Sequence, residues 1–283
     1  VTIPAFGERL SAVFSETGHL CVGIDPHEYL LDQWSLTNDA EGVREFGLRV
    51  VDAVRGSAGI VKPQVAFFER FGAAGYQALE DVLEACREAK IVVIADAKRG
   101  DVGSTVEAYA RAWLTPGAPL EADAMTISAY QGLGSITEAR NLALSSGKGL
   151  FVLAATSNPE SFEPQQAIIA SGENVGSTVA GAIMNGVAHW NTNESGLGSI
   201  GLVIGATITL DDYGVHSSLL DSTPILAPGF GHQGAQYSQI PALYGASAHN
   251  LLVSASRSIL AKGPSGVAQA IRAEAELVAS VYA

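Results

Sequence analysis

Ile91-Val92-Val93-Ile94-Ala95-Asp96-Ala97-Lys98-Arg99-Gly100-Asp101 reads as a strand that is apolar on both faces and ends in charge. Five apolar residues without alternation suit a strand covered on both sides, as in a parallel sheet packed between helices. In extended chain, residues i and i+2 share a face about 6.6 Å apart. Asp96 and Lys98 therefore point the same way, and Arg99-Gly100 turns the chain out of the strand before Asp101. The result is a D-x-K-x-x-D constellation, a cation between two carboxylates at the carboxyl end of a strand. A solvated strand-end ion pair has the same composition and contributes little, so the rest of the chain must separate the two readings.

Outward from this stretch the same unit repeats. Short apolar strands are expected at Leu20–Asp25, Gly59–Lys62, Ile91–Asp96, Ala122–Ile127, Leu150–Ala155, Gly201–Gly205, Pro224–Ala227 and Leu251–Ser254. Helical periodicity falls between them, clearest at Ala40–Arg55, Gly72–Glu88, Thr105–Leu114, Gly134–Leu144, Val175–Trp190 and Val267–Tyr282. Eight β-then-α units predict an α/β fold, a (β/α)8 TIM barrel, and 283 residues is an ordinary length for one. With no Pro- or Ser-rich linker or charge run dividing it, the whole of 1–283 is expected to form a single barrel domain. Thr156–Asn174 is the longest strand-to-helix loop and a candidate lid, and the glycines of Gly172–Gly176 read as a helix start.

Composition narrows the function. Hydrophobic residues make up 47% and charged residues 16%, which suits a large buried core. The net charge of −13, from 29 acidic and 16 basic residues, argues against a nucleic-acid or anionic-membrane surface. An anionic substrate would need a local basic pocket. Cys21 and Cys86 fit no disulfide or zinc pattern and read as small buried hydrophobes. No apolar run has the length of a membrane span and the N-terminus has no leader pattern, so a cytoplasmic location is expected. The six histidines never fall at ligand spacing, which predicts no histidine metal site.

In a barrel, chemistry gathers at the carboxyl ends of the strands. There the chain places Asp25, Lys62, the Asp96/Lys98/Asp101 cluster, and Thr156-Ser157. The seventh strand runs into Gly229-Phe230-Gly231-His232-Gln233-Gly234, a literal G-x-G-x-x-G. A dinucleotide site needs an acidic residue about 20 positions later, and none stands between Gly234 and Glu274. The turn, with Arg257 after strand eight, instead suits a barrel phosphate site in which backbone N–H groups cradle the phosphate and the guanidinium forks onto it.

Taken together, Gly23-Ile24-Asp25-Pro26, Val61-Lys62-Pro63-Gln64, Asp96 to Thr105, Ala154 to Pro159, Gly205-Ala206-Thr207, Pro228 to Gln233 and Arg257 resemble the orotidine 5′-phosphate decarboxylases. The likeness is to their longer bacterial branch, which carries the D-A-K-R-G-D signature. It implies a cofactor-free, metal-free homodimer that converts orotidine 5′-monophosphate to UMP. Lys98 would be the proton donor to C6 of the pyrimidine, Asp96 would sit beside the substrate carboxylate, and Lys62 would pair with Asp96 and contact the ribose. Asp101 and Thr105 would reach into the partner subunit's site. Asp25 would bind a ribose hydroxyl, Ser157 (or Thr156) the pyrimidine edge, and Gln233 with Arg257 and the Gly229 turn the phosphate. Two other readings stay open. One is a sister keto-sugar-phosphate decarboxylase with Mg²⁺ held by Asp96 and Asp101. The other is a non-catalytic phosphate-ligand-binding barrel. The resemblance assigns no role to Arg99 or to Ser161–Glu173.

Overall fold

The computed structural model describes residues 3–192, 194, 196–231 and 234–282. Eight parallel strands close on themselves in sequence order: β1 (Leu20–Ile24), β2 (Ile60–Pro63), β3 (Val92–Arg99), β4 (Ala124–Ile127), β5 (Gly149–Ala155), β6 (Ile200–Ile204), β7 (Ile225–Pro228) and β8 (Leu251–Ala255). The last pairs with the first, Cys21 opposite Ser254. This is the expected (β/α)8 barrel.

Alternation along each strand divides its residues between two cores. Val22, Val61, Val93, Met125, Val152, Leu202 and Val253 face outward into a large cluster with the surrounding helices. Cys21, Ile60, Ile94, Ala124, Phe151, Val203, Leu226 and Leu252 face inward into a smaller one. Both thiols are buried and burial pushes each up to about 12, so they act as hydrophobes rather than nucleophiles.

Five of the six expected helices stand within a few residues of their predicted spans. They form Ala40–Val54, Gly72–Glu88, Gly103–Leu114, Thr137–Ser145 and Gly263–Ala279. The sixth, expected from Val175, begins at Val179, because Thr178 caps it by accepting the Gly181 N–H (2.9 Å). Gly172–Gly176 is therefore not a helix start. A turn there returns the chain antiparallel, with Ile168 bridged to Thr178. After β6 and β7 come only short helical turns.

One element falls outside the alternation. The helix Phe6–Thr17 stoppers the amino end of the barrel: Phe6 and Leu10 join the inner cluster, and Phe6 meets Phe151 edge-on. Arg9 ties the helix to Asp123 (2.5 Å) and to the Gly147 carbonyl (2.8 Å). With that end closed, the opposite end is where the barrel opens.

Candidate active site

The inner face turns from apolar to polar on moving up each of the first strands. At alternate positions Cys21 is followed by Gly23 and Asp25, Ile60 by Lys62 and Gln64, Ile94 by Asp96 and Lys98, and Ala124 by Thr126. On the other side the upper inner positions stay apolar, with Leu153, Val203 and Leu226. These residues, with Pro228, Gly229, Phe230 and Arg257, line a cavity of about 480 Å³. One half is therefore charged, the other apolar.

Asp96 is the centre of the charged half. It is buried, and its two oxygens accept four hydrogen bonds. Oδ2 accepts from Lys62 Nζ (2.7 Å) and Gln64 Nε2 (3.1 Å), and Oδ1 from Lys98 Nζ (2.5 Å) and Thr126 Oγ1 (2.9 Å). That fills the acceptor capacity of a carboxylate. Burial pushes the Asp96 carboxyl up, but the two ammonium groups outweigh it and hold the group well below the usual carboxylate range. Burial likewise pushes Lys62 down, and Asp96 with Asp25 more than reverses it, holding the ammonium above its ordinary value. Both stay charged across the neutral range.

Lys98 is the exposed member of the cluster. Its side chain is 46% exposed, against 8% for Lys62 and Asp96, so its ammonium stands at the cavity mouth. Asp96 and Lys98 share a face, as expected, but the strand does not end between them. β3 runs on to Arg99 through a register shift against β4 between Ala95 and Arg99. Lys98 itself sits in the left-handed region at φ 45°, a conformation that costs a residue with a Cβ about 1–3 kcal/mol. Such strain collects where a side chain must be aimed.

The remaining predicted residues divide into three groups. Asp25, Ser157, Gly229 and Arg257 line the same cavity as the lysines. Asp25 Oδ1 is buried with no hydrogen-bond partner among the described residues, and so is Ser256 Oγ beside it on the cavity wall. Thr156 also lines the cavity, but its hydroxyl is engaged with Asn158 Oδ1 (2.7 Å) and Gln165 Nε2 (3.0 Å). Of the Thr156–Asn174 loop, only Thr156, Ser157 and Asn158 reach this cavity. Gly229, at φ 117°, begins a turn in which Phe230 is bridged to Ala235. Gln233 lies outside the described residues.

Asp101 and Thr105 do not line the cavity. Asp101 Oδ1 accepts the N–H of Val102 (2.8 Å), and Thr105 lies exposed on the first turn of the following helix. The predicted second carboxylate is thus absent from the array within one chain. Gln64 and Thr126, which complete the shell around Asp96, had no assigned role in the sequence reading. Their signal was their place on the inner face: Thr126 one step above the apolar Ala124, and Gln64 one step above Lys62.

Residues 18–272 match the model of the orotidine 5′-phosphate decarboxylase / HUMPS family. Orotidine 5′-phosphate decarboxylase from Streptomyces coelicolor is 45% identical over 262 residues, 92% of this chain and 91% of its own. The Nocardioides enzyme of the same name is 46% identical over 255 residues, 90% and 91% of the two chains. A Streptomyces avermitilis crystal structure assigned to orotidine 5′-phosphate decarboxylase superposes with a TM-score of 0.93 at 42% identity, covering 100% of this chain and 98% of its own. With its barrel, its match to the family model and its extensive identity to these enzymes, the chain belongs to the orotidine 5′-phosphate decarboxylase / HUMPS family.

Proposed function

We propose that the chain decarboxylates orotidine 5′-monophosphate to UMP, the closing step of pyrimidine nucleotide synthesis, without a cofactor. One observation carries the reading: a buried carboxylate paired with two ammonium groups on the wall of a half-apolar cavity. Loss of CO₂ from C6 leaves an electron pair on a vinylic carbon that no ring position can delocalise. The stabilisation must come from outside the substrate, toward the upper end of the ~8–23 kcal/mol that enzymes supply. A fixed ammonium beside the developing charge does this where mobile water cannot.

In this reading Lys98 faces C6, stabilises the carbanion and transfers its proton there, forming the C6–H bond of UMP. Asp96 lies beside the departing carboxylate, and that like-charge contact adds ground-state strain as a second, smaller effect. Lys62 keeps Asp96 ionised and contacts the ribose, while the unpaired Asp25 oxygen accepts from a ribose hydroxyl. The pyrimidine lies against Leu153, Val203 and Leu226 with Ser157 at its edge, and Arg257 and the Gly229 turn hold the phosphate, a role the family resemblance also gives to Gln233. Phosphate contacts remote from C6 supply binding energy that is realised in aligning the array.

The same reading makes the enzyme a homodimer, with Asp101 and Thr105 completing the partner's site. The surface around them suits that role. Val102, Tyr109 and Tyr130, on and near the same segment, are exposed at 52%, 37% and 92% and offer apolar side chains that a partner would cover.

The Mg²⁺-dependent alternative fits less well. Both oxygens of Asp96 are committed to ammonium, amide and hydroxyl donors, and Asp101 points elsewhere. Among the described residues, no group of three His, Cys, Asp or Glu side chains could hold a metal ion.

The test is the loss of orotidine 5′-monophosphate absorbance by purified protein, with and without EDTA. Rapid loss giving UMP, unaffected by EDTA, is expected. A folded protein that leaves the substrate intact, or loses activity to EDTA, would overturn the proposal.

A further inference from the structure

Arg99 lies next to the left-handed residue of β3 and turns its side chain away from the cavity. The backbone around it is tightly held. Lys98 N donates to Thr126 Oγ1 (2.9 Å), and the Arg99 carbonyl accepts from Ser128 N (2.7 Å). A Cβ on Gly100 would lie 2.5 Å from the Ser128 carbonyl oxygen, so only glycine lets β3 and β4 approach there.

Three groups hold the guanidinium outside the barrel. Nη1 donates back across Lys98 to the Ala97 carbonyl (3.2 Å). Nη2 donates to Glu69 Oε1 (3.0 Å) and Tyr76 Oη (3.1 Å), and Tyr76 Oη donates in turn to Glu69 Oε1 (2.9 Å). The guanidinium carbon stands 5.7 Å from the centre of the Tyr109 ring. None of Arg99, Glu69, Tyr76 and Tyr109 lines the cavity.

We propose that Arg99 is a positioning residue that acts through Lys98. Its guanidinium bolts the Ala97–Arg99 end of β3 to two outer helices, Val65–Glu69 and Gly72–Glu88, and so aims the Lys98 ammonium at Asp96 and at the reacting carbon. The planar fork is essential, because it reaches the Ala97 carbonyl and the Glu69/Tyr76 pair at once. A lysine ammonium, a point charge, cannot span both. For the reacting carbon this inference rests on the decarboxylase reading; for the geometry of Lys98 it stands alone.

Steady-state kinetics of Arg99→Ala and Arg99→Lys, with crystal structures of both, test it. Displacing a catalytic group by about 1 Å costs on the order of 100-fold in rate. Both variants should lose about 10- to 100-fold in kcat with KM within about 2-fold of wild type, and Lys98 should leave the left-handed region. Unchanged kcat, or a loss confined to KM, overturns the proposal. If Arg99→Ala does not fold, Glu69→Ala and Tyr76→Phe keep the guanidinium and remove its anchors. A kcat loss without a KM change then supports the inference, and unchanged kcat defeats it. If wild type itself fails to turn over orotidine 5′-monophosphate, the functional reading falls. The positioning role is then judged on Lys98 alone, and an unmoved Lys98 in Arg99→Ala overturns it.

Discussion

Replacing Asp96 by Asn keeps the shape of the side chain and removes the charge on which both lysines depend. Lys62 is buried, so the change leaves an ammonium in the barrel with only Asp25 to offset it. An amide also offers one acceptor oxygen where the carboxylate offers two. Whichever way Asn turns, its NH₂ faces either Lys62 and Gln64 or Lys98 and Thr126. Removing one partner of a buried ion pair costs about 3–5 kcal/mol. At about 2–4 °C per kcal/mol for a chain of this class, the thermal midpoint at pH 7 should fall by about 6–20 °C. Trp34, Trp113 and Trp190 provide the fluorescence signal.

The pH dependence separates this cause from a general loss of packing. In the wild type, Lys62 is held above its ordinary value, so its contribution is full below about pH 10.4 and is lost as pH rises through the folded value. Asp96 is held below its ordinary value, so its contribution is full above about pH 3.9 and is lost as pH falls through the folded value. Between those limits the triad contributes a plateau. In Asp96→Asn, burial becomes the dominant influence on Lys62 and drives its folded value below the unfolded one. The unfolded chain then binds more protons between the two values, and the variant gains stability with rising pH. The gap from wild type should narrow from pH 7 to pH 9.5. A gap under about 1 kcal/mol at pH 7, or one that stays constant with pH, would refute the electrostatic account.

Other perturbations address separate parts of the site. Lys98→Ala should abolish turnover while keeping the thermal midpoint within a few degrees, because the side chain is half exposed; near-normal turnover would remove Lys98 from the mechanism. Inactive Asp96→Asn and Asp101→Asn subunits, mixed under conditions of demonstrated exchange, should recover part of the wild-type rate, since heterodimers regain one intact site. No recovery would contradict the shared site. Arg257→Ala should raise KM about 10- to 100-fold, as expected for losing charged hydrogen bonds to a phosphate, and an unchanged KM would place the phosphate elsewhere.

What was legible in the sequence follows from which physical signals are local. Strands buried on both faces carry continuous apolar runs, so all eight were placed to within a few residues. Asp96 and Lys98 share a face because extended chain alternates, and that needed no tertiary knowledge. Gln64 and Thr126 were missed because a search for charge at strand ends passes over an amide and a hydroxyl. Their importance comes from the neighbouring strand that carries Asp96. The bulge was hidden for a different reason: the usual sign of positive φ is glycine, and here the lysine takes that conformation while the glycine follows two residues later. Arg99 was mute because its partners lie 30 and 23 residues away on separate helices. The helix Phe6–Thr17 repeats apolar residues at 6, 10, 13 and 14, but it precedes the first β-then-α unit and the repeat did not include it.

The division of the cavity explains why the charge can be kept there. Apart from Arg257 after β8, the charged residues come from the ends of β1 to β3, and Thr126 of β4 closes their hydrogen-bond network, while β5 to β7 present Leu153, Val203 and Leu226. An apolar wall strengthens every electrostatic interaction across the cavity, but it also raises the cost of any charge left unpaired. Asp96 meets that cost in the free chain by taking four donors, two of them ammonium groups. A substrate carboxylate brought beside it would compete for Lys98, the only donor of the four that reaches the open mouth on a half-exposed side chain. In the proposed reaction, loss of that carboxylate as neutral CO₂ would remove the competition and leave a carbanion facing the same ammonium. The three groups that can stay fixed throughout are Lys62, Gln64 and Thr126. Lys98 stands in the left-handed region at the end of β3, next to the Arg99 contacts that lie outside the barrel.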